Sequence, residues 1–167
     1  LGNREVFRLL ASNIAFGGAM AMYARDNIRR LFEIDDHEAC ELYVSQRQVV
    51  SVDDVLAALR DCTSRWTHEY LKLLASRDIA AVRGRETEIV GLIAEYEPQA
   101  LLDFLRRSDA YSLEDALVMC RARGLLEEEA YLLGRGGYMY AALKVVLERL
   151  GDIGLAVRLA ADHHDQS

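Results

Sequence analysis

Residues 98–152 read PQALLDFLRRSDAYSLEDALVMCRARGLLEEEAYLLGRGGYMYAALKVVLERLGD, and this stretch decides the fold. Pro98 suits the first turn of a helix carrying Leu101, Leu102 and Leu105, because the N–H that proline lacks would have no partner there. Ser112 followed three residues later by Asp115 has the form of an N-cap with an acidic third position. Gly124 stands where a helix ends on a left-handed glycine. Glu127, Glu128 and Glu129 then fall in the first turn of the next helix, where negative charge suits the macrodipole. Gly136-Gly137 ends that helix, Gly151 ends the following one, and Asp152 can cap the last.

Helix starts near 85, 98, 112, 125, 138 and 152 recur every 13–14 residues. Helices of that length joined by such short turns must lie antiparallel, as stacked αα-hairpins of about 27 residues each. A cap, three residues, then Ala and an apolar residue recurs as Asp35…Ala39-Cys40, Ser112…Ala116-Leu117 and Asp152…Ala156-Val157. The small alanine would let neighbouring helices approach closely. Between Tyr138 and Leu150, one apolar stripe holds Met139, Leu143, Val146 and Leu150, and a flanking one holds Tyr138, Ala142 and Val145. A helix apolar on so much of its circumference has neighbours on two sides, as the inner layers of a solenoid do.

Upstream the same period continues. Trp66, Tyr70, Leu73 and Leu74 form one stripe, and Ile89, Leu92, Ile93 and Tyr96 another. Helix starts near 36, 52 and 64 are followed by a polar joint over residues 77–85. No segment alternates with period two between hairpin turns. The expectation is an all-α chain: an αα-hairpin superhelix with TPR-like stacking, forming one α-solenoid segment over residues 1–167. Residues 1–50 hold N-terminal helices, and residues 51–167 hold the hairpins, with a loop at 77–85.

Composition agrees. The 167 residues include 25 Leu, 22 Ala and one Pro, against 12 Val, 7 Ile and 3 Thr, a balance that favours helix over strand. The longest uncharged apolar stretch, Ile14 to Ala24, is too short to cross a bilayer. The net charge is −7, and residues 84–167 account for −6 of it with 9 basic and 15 acidic side chains. An acidic surface repels phosphate backbones, so nucleic-acid binding is disfavoured. Cys40, Cys62 and Cys120 fit neither a disulfide framework nor a zinc site and read as small core residues in a reducing compartment. The chain begins on Leu1, as a piece of a longer protein would.

Candidate chemistry is sparse. His68-Glu69 opens like a metalloprotease helix, but the residue one turn on is Lys72. His163-His164 and His37 read as solvated, because adjacent helical side chains diverge and do not converge on one ion. Gly134-Arg135-Gly136-Gly137 has no Lys-Ser or Lys-Thr after it and reads as a joint, not a phosphate cradle. The Glu127–Glu129 run lacks partners in the sequence pattern that would set one carboxylate against another. Arg25, Arg29 and Arg30 would share one helical face, solvated beside Asp26, Glu33, Asp35 and Asp36. Tyr138 and Tyr140 are the aromatic candidates for a protein interface, with at least one expected in the core. No catalytic, cofactor-binding or metal-binding residue is assigned.

One family resemblance rests on many spaced residues. They are Ala94-Glu95-Tyr96, Leu101-Leu102-Asp103-Phe104-Leu105-Arg106, and Leu113-Glu114-Asp115-Ala116-Leu117 with Cys120 and Arg123. The pattern continues through Glu128, Tyr131-Leu132-Leu133-Gly134-Arg135, Ala142-Leu143-Lys144 and Leu150-Gly151-Asp152 to Ala156. This resembles the clathrin heavy-chain repeat of the vacuolar protein sorting-associated protein 41 family, a subunit of the HOPS tethering complex. Ser51 to Leu74 is compatible with the segment upstream, whereas residues 1–50, including Phe16-Gly17-Gly18, match little.

The resemblance implies a non-enzymatic protein-interaction scaffold of a vesicle-tethering complex. It would be cytoplasmic and peripheral on late endosome, lysosome or vacuole membranes. The implied partners are other tethering-complex subunits and a second copy through the repeat. The family's β-propeller and zinc-binding RING lie outside these residues, so Rab and metal binding do not transfer. Two other readings stand beside it: a coat-like, self-assembling clathrin-type leg module, and a helical-bundle enzyme or metal carrier.

Overall fold

Leucine and alanine with a single proline build helices here. The computed structural model describes the backbone of residues 2–14 and 18–164 and the side chains through residue 161. Phe16 and Gly17, and the side chains of His163 and His164, lie outside the described residues. Among the described residues there are twelve α-helices and no strand. The architecture is an all-α solenoid of helical hairpins. The chain divides into two compact units, Leu1–Arg83 and Gly84–Ser167, and the division falls inside the polar joint at 77–85. That joint is not all loop, since Ile79–Val82 forms a turn of 3₁₀ helix that Asp78 caps through the Ala80 N–H.

The first unit holds α1 (Asn3–Ile14), α2 (Ala19–Asp26), α3 (Ile28–Ile34), α4 (Asp36–Ser45), α5 (Val52–Leu59) and α6 (Ser64–Arg77). Asp35, Ser51 and Thr63 each accept a backbone N–H from the first turn of the helix they precede, which satisfies donors the helix leaves free. An aromatic knot ties the unit together. The ring of Phe32 in α3 stacks on Tyr43 of α4 with centroids 6.0 Å apart and meets Trp66 of α6 at 5.7 Å. The buried Tyr43 hydroxyl donates to the Ala24 carbonyl at 2.6 Å, adding α2. Burying a ring this size contributes about 1.5–3 kcal/mol, and the hydroxyl needs that carbonyl to avoid a desolvation cost. The expected arginine face is not found. Helix α2 ends at Asp26 and α3 begins at Ile28, so Arg25 lies on one helix and Arg29 and Arg30 on another. Arg25 donates to the Val49 carbonyl, and Arg29 pairs with Glu33.

The second unit runs α7 (Glu86–Tyr96), α8 (Pro98–Arg107), α9 (Leu113–Arg123), α10 (Leu126–Arg135), α11 (Met139–Lys144) and α12 (Ile153–His164). Each start lies within one residue of the sequence expectation. Helix α10 packs against α8, α9 and α11, and α7 packs against α8 and α9. The shared core includes Val90, Leu101, Leu105, Ala116, Cys120, Leu132, Ala142 and Val146. Ala39, Ala116 and Ala156 are all buried, as the recurrent signature requires, but Val157 beside the last is 63 % exposed.

The joints explain the period. Gly124 has φ +68° and Gly137 φ +82°. Leu125 N–H then donates to the Cys120 carbonyl at 3.0 Å and Tyr138 N–H to Leu133 at 2.8 Å. These are the six-to-one bonds of a left-handed helix end. The residue making the bond is already the cap of the next helix, so one glycine reverses the chain. The third joint differs by one residue. Val145–Leu150 continues α11 as a π-helical turn, Gly151 (φ +69°) turns the chain, and Asp152 N–H then reaches back to Val146 at 3.2 Å. Asp152 then caps α12 by accepting the Leu155 N–H at 2.8 Å. Ser112 caps α9 as its sequence pattern predicts, accepting from Asp115 N–H, while its own N–H donates to the Thr87 hydroxyl of α7 at 2.9 Å.

A Cβ at Gly124 would meet nothing within 4 Å, so Gly124→Ala tests the backbone conformation alone. It should lower stability by about 1 kcal/mol through the left-handed penalty, read as a lower thermal midpoint by circular dichroism. An unchanged midpoint would count against the glycine reversal.

Candidate interaction surface

Two polar clusters of the second unit lie between helices and are absorbed by its packing. In the first, the Leu105 carbonyl at the end of α8 accepts from the Tyr111 hydroxyl at 3.1 Å, the Tyr131 hydroxyl at 3.4 Å and Arg135 at 3.4 Å. Arg135 also donates to the Ser108 carbonyl and, at 2.6 Å, to the Tyr111 oxygen, with its guanidinium 5.0 Å from that ring centroid. Helix ends leave carbonyls without partners, and here α10 supplies them. Burial raises the Tyr111 phenol above its ordinary pKa although Arg135 beside it pulls the other way.

In the second cluster Glu129 is buried, its side chain 4 % exposed. It accepts from Arg121 of α9 at 2.9 Å and from Arg149 of the π turn at 3.1 Å. This corrects the reading of Glu127–Glu129 as a run without partners: Glu129 is a brace between three segments. The arginine side chains are about half exposed, 54 % and 52 %, so only the acid is withdrawn from water. Glu128, partly buried, has its carboxyl raised by burial and by Glu127, against a lowering bond to its own backbone N–H.

Two of the three thiols are buried. Burial, helped by nearby carboxylates, pushes Cys40 and Cys120 up to about 12, so both stay protonated at neutral pH. Cys62 is half-buried, less enclosed than expected. His68 is buried in α6 and His37 is exposed. Cys40 and His37 line an open cleft of about 460 Å³ in the first unit with Asp36, Arg65, Glu69 and Lys72. In the second unit a cleft of about 260 Å³ lies between α8, α10 and α12, with Leu102, Ala130, Leu155 and Leu159 below a rim of Arg106, Glu127, Asp152 and Arg158.

The aromatic candidates are placed together at one joint. Tyr138 is 62 % exposed and Tyr140 83 %. Neither is core, against the expectation that at least one would be, because Ala142, Val145 and Val146 supply the buried side of that helix. The ring of Tyr138 instead lies beside Gly136 and Leu113. The sequence pattern located this pair. It missed Glu129 and Arg135, whose partners stand 8 to 30 residues away at no helical spacing.

These features define a class of protein: a helical-hairpin solenoid whose interior polar groups brace helices. The model of the Vps41 TPR-like region matches residues 8–167, and the chain belongs to the Vps41 family. The vacuolar protein sorting-associated protein 41 homologs of Mus musculus and Homo sapiens are each 32 % identical over 165 residues, covering 99 % of this chain and 19 % of their own length. That of Solanum lycopersicum is 36 % identical over 146 residues, covering 84 % of this chain and 15 % of its own. The chain thus spans about a fifth of the length of these curated relatives. No solved structure matches it significantly.

Two outcomes test the brace. Glu129→Gln should cost about 1–2 kcal/mol in urea unfolding, since both arginines can turn to water. Replacing Arg121 and Arg149 together by alanine should cost more, about 3 kcal/mol, because a buried carboxylate is left alone; the reverse order would refute the geometry. Glu128 carries a pH signature. Its folded pKa is raised, so stability falls as pH rises from the unfolded to the folded value and stays lower above it. Glu128→Gln should therefore raise the thermal midpoint at neutral pH, with the gain vanishing below the ordinary carboxylate range. A gain independent of pH would exclude the burial cause.

Proposed function

We propose that this chain is a protein-interaction scaffold of a vesicle-tethering complex of the HOPS type, without enzymatic activity of its own. It would act in vesicle fusion at the late endosome, lysosome or vacuole, within a larger protein that is cytoplasmic and peripheral on those membranes. One observation carries the reading: the Vps41 family match extends over residues 8–167 and falls on an array of helical hairpins. Such arrays present broad surfaces to other proteins. The names of the relatives place them in vacuolar protein sorting. Among the described residues no helix is long and apolar enough to cross a membrane, which suits peripheral attachment through other parts of the protein. The clusters of the second unit support the non-enzymatic reading, since Glu129 and Arg135 are held by internal partners and Cys120 by burial.

The test is capture of separately expressed tethering subunits by the immobilised chain, paired with light scattering of the chain alone. The expected result is stoichiometric capture of at least one subunit and a monomer or small discrete oligomer in solution. Failure to capture any subunit at micromolar concentration would overturn the scaffold reading. Particle growth with concentration would favour a self-assembling coat leg instead.

A further inference from the structure

We infer that Ser108 is a phosphorylation site whose phosphate is received by Arg135. The site stands apart from the tethering role proposed above, and its test needs no partner subunit. Ser108 is the one serine or threonine of the chain that directly follows two arginines, Arg106 and Arg107. Kinases that select by charge read such residues before the acceptor. Its place in the fold leaves it open to one. The other joints of the unit leave one to three residues between helices, whereas residues 108–112 separate α8 from α9 without helix. Ser108 is partly exposed and extended, with φ −111° and ψ 146°, and Asp109 and Ala110 after it are exposed. The acceptor is therefore outside the helix, and only the last turn of α8, exposed at Arg106 and Arg107, has to fray for the arginines to be read. The hydroxyls of Ser12, Ser45, Ser51 and Ser76 are each engaged by a local acceptor, and Ser112 caps α9. The Ser108 hydroxyl makes no hydrogen bond among the described residues.

The receiving cation is already in place. Arg135 of α10 donates to the Ser108 carbonyl at 3.0 Å, so its guanidinium lies against the acceptor residue. Its other bonds go to the Leu105 carbonyl at 3.4 Å and the Tyr111 oxygen at 2.6 Å, so all its acceptors are neutral. Arg107 donates to the Asp103 carbonyl, and Arg106 lies 6.0 Å from the Tyr131 ring centroid. None of these three arginines has a carboxylate partner among the described residues, although residues 84–167 hold 15 acidic side chains against 9 basic. In the transfer, Ser108 Oγ bonds to the γ-phosphorus of ATP, ADP leaves, and the hydroxyl proton passes to the catalytic aspartate of the kinase. The product carries about two negative charges and three strong acceptor oxygens, which a guanidinium binds through paired N–H groups. The C-terminal end of α8 repels that charge, and Asp109 is next to it in the chain, so the phosphate turns to Arg135. Drawn to the phosphate, Arg135 leaves the Leu105 carbonyl, which keeps the Tyr111 and Tyr131 hydroxyls. The modification thus loosens α10 from the end of α8 without orphaning that carbonyl.

The test has two arms. In the first, the full chain is incubated with ATP and the catalytic subunit of cyclic-AMP-dependent protein kinase. Mass spectrometry should find a single phosphate, on Ser108, and none in Ser108→Ala or in Arg106→Gln combined with Arg107→Gln. In the second, phosphoserine is installed at residue 108 during synthesis, and its phosphorus resonance is followed against pH. The reference is a phosphorylated peptide of residues 103–112, which holds Arg106 and Arg107 but lacks Arg135. An adjacent guanidinium favours the dianion, so the second phosphate ionisation should lie about one unit lower in the chain than in the peptide. Arg135→Gln should abolish that difference with helicity retained, and Arg135→Lys should keep part of it. Phosphate found on other residues with Ser108 unmodified, or no transfer at all, would overturn the acceptor assignment. A phosphate that titrates in the chain as it does in the peptide, or that Arg135→Gln leaves unmoved, would overturn its pairing with Arg135.

Discussion

The second unit depends on a backbone reversal completed at a single left-handed glycine. At Gly124 and again at Gly137 the helix ends, the following N–H closes back on the old helix, and that same residue begins the next one. With no loop to absorb error, each helix is committed to run antiparallel to its predecessor. Its length then fixes which residues meet across the hairpin. At the Gly137 joint the residue four after the cap Tyr138 is the buried Ala142, and a small side chain there lets the helices approach closely. Ala116, Ala156 and Ala39 are buried at the same position after their own caps.

Tight joints create a second requirement. Every helix end leaves carbonyls and N–H groups that the neighbours must satisfy. Arg135 and two tyrosines converge on the Leu105 carbonyl for this reason, and Thr87 takes the Ser112 N–H. The π turn solves a related problem. One extra residue shifts the side chains that follow by about 100° around the helix axis, and Arg149 of that turn bonds the Glu129 carboxylate oxygen that Arg121 leaves free. Buried ionic groups add little net stability against an apolar alternative. What the brace contributes is register: α9, α10 and the π turn must all be correctly placed before the carboxylate is neutralised.

These two layers of organisation were unequally legible in the sequence. Caps, glycines and apolar period are local signals, read within a window of four residues, and they located the helix starts from Asp36 to Ile153 to within one residue. The arginine face at residues 25–30 failed because the break at Asn27, φ −120°, carries neither glycine nor proline. Glu129 failed for a different reason: in the first turn of α10 a glutamate suits the helix dipole whether buried or exposed, so the pattern could not tell it from Glu127. Tyr138 was misjudged for the core because a helical wheel drawn through residue 138 treats it as part of α11, whereas it is the cap, with cap geometry. The surface was legible only as residue type, since exposure depends on which neighbours claim the other side of the helix.

The glycines of the second unit make the link between fold and surface concrete. Gly124 has a left-handed backbone and open space around it, so its constraint is conformational and serves the turn. Gly136 is the opposite case. Its φ of −76° suits any residue, yet Leu113 and Tyr138 close over the place where a side chain would begin. Its constraint is packing, and what closes over it is the ring of a largely exposed tyrosine together with Leu113, the first residue of α9. A glycine needed only for chain reversal would not have to hold that ring, because Gly137 already supplies the positive φ. The close fit at Gly136 therefore serves the packing of Leu113 and Tyr138 at the joint, and the positive φ at Gly137 the reversal itself.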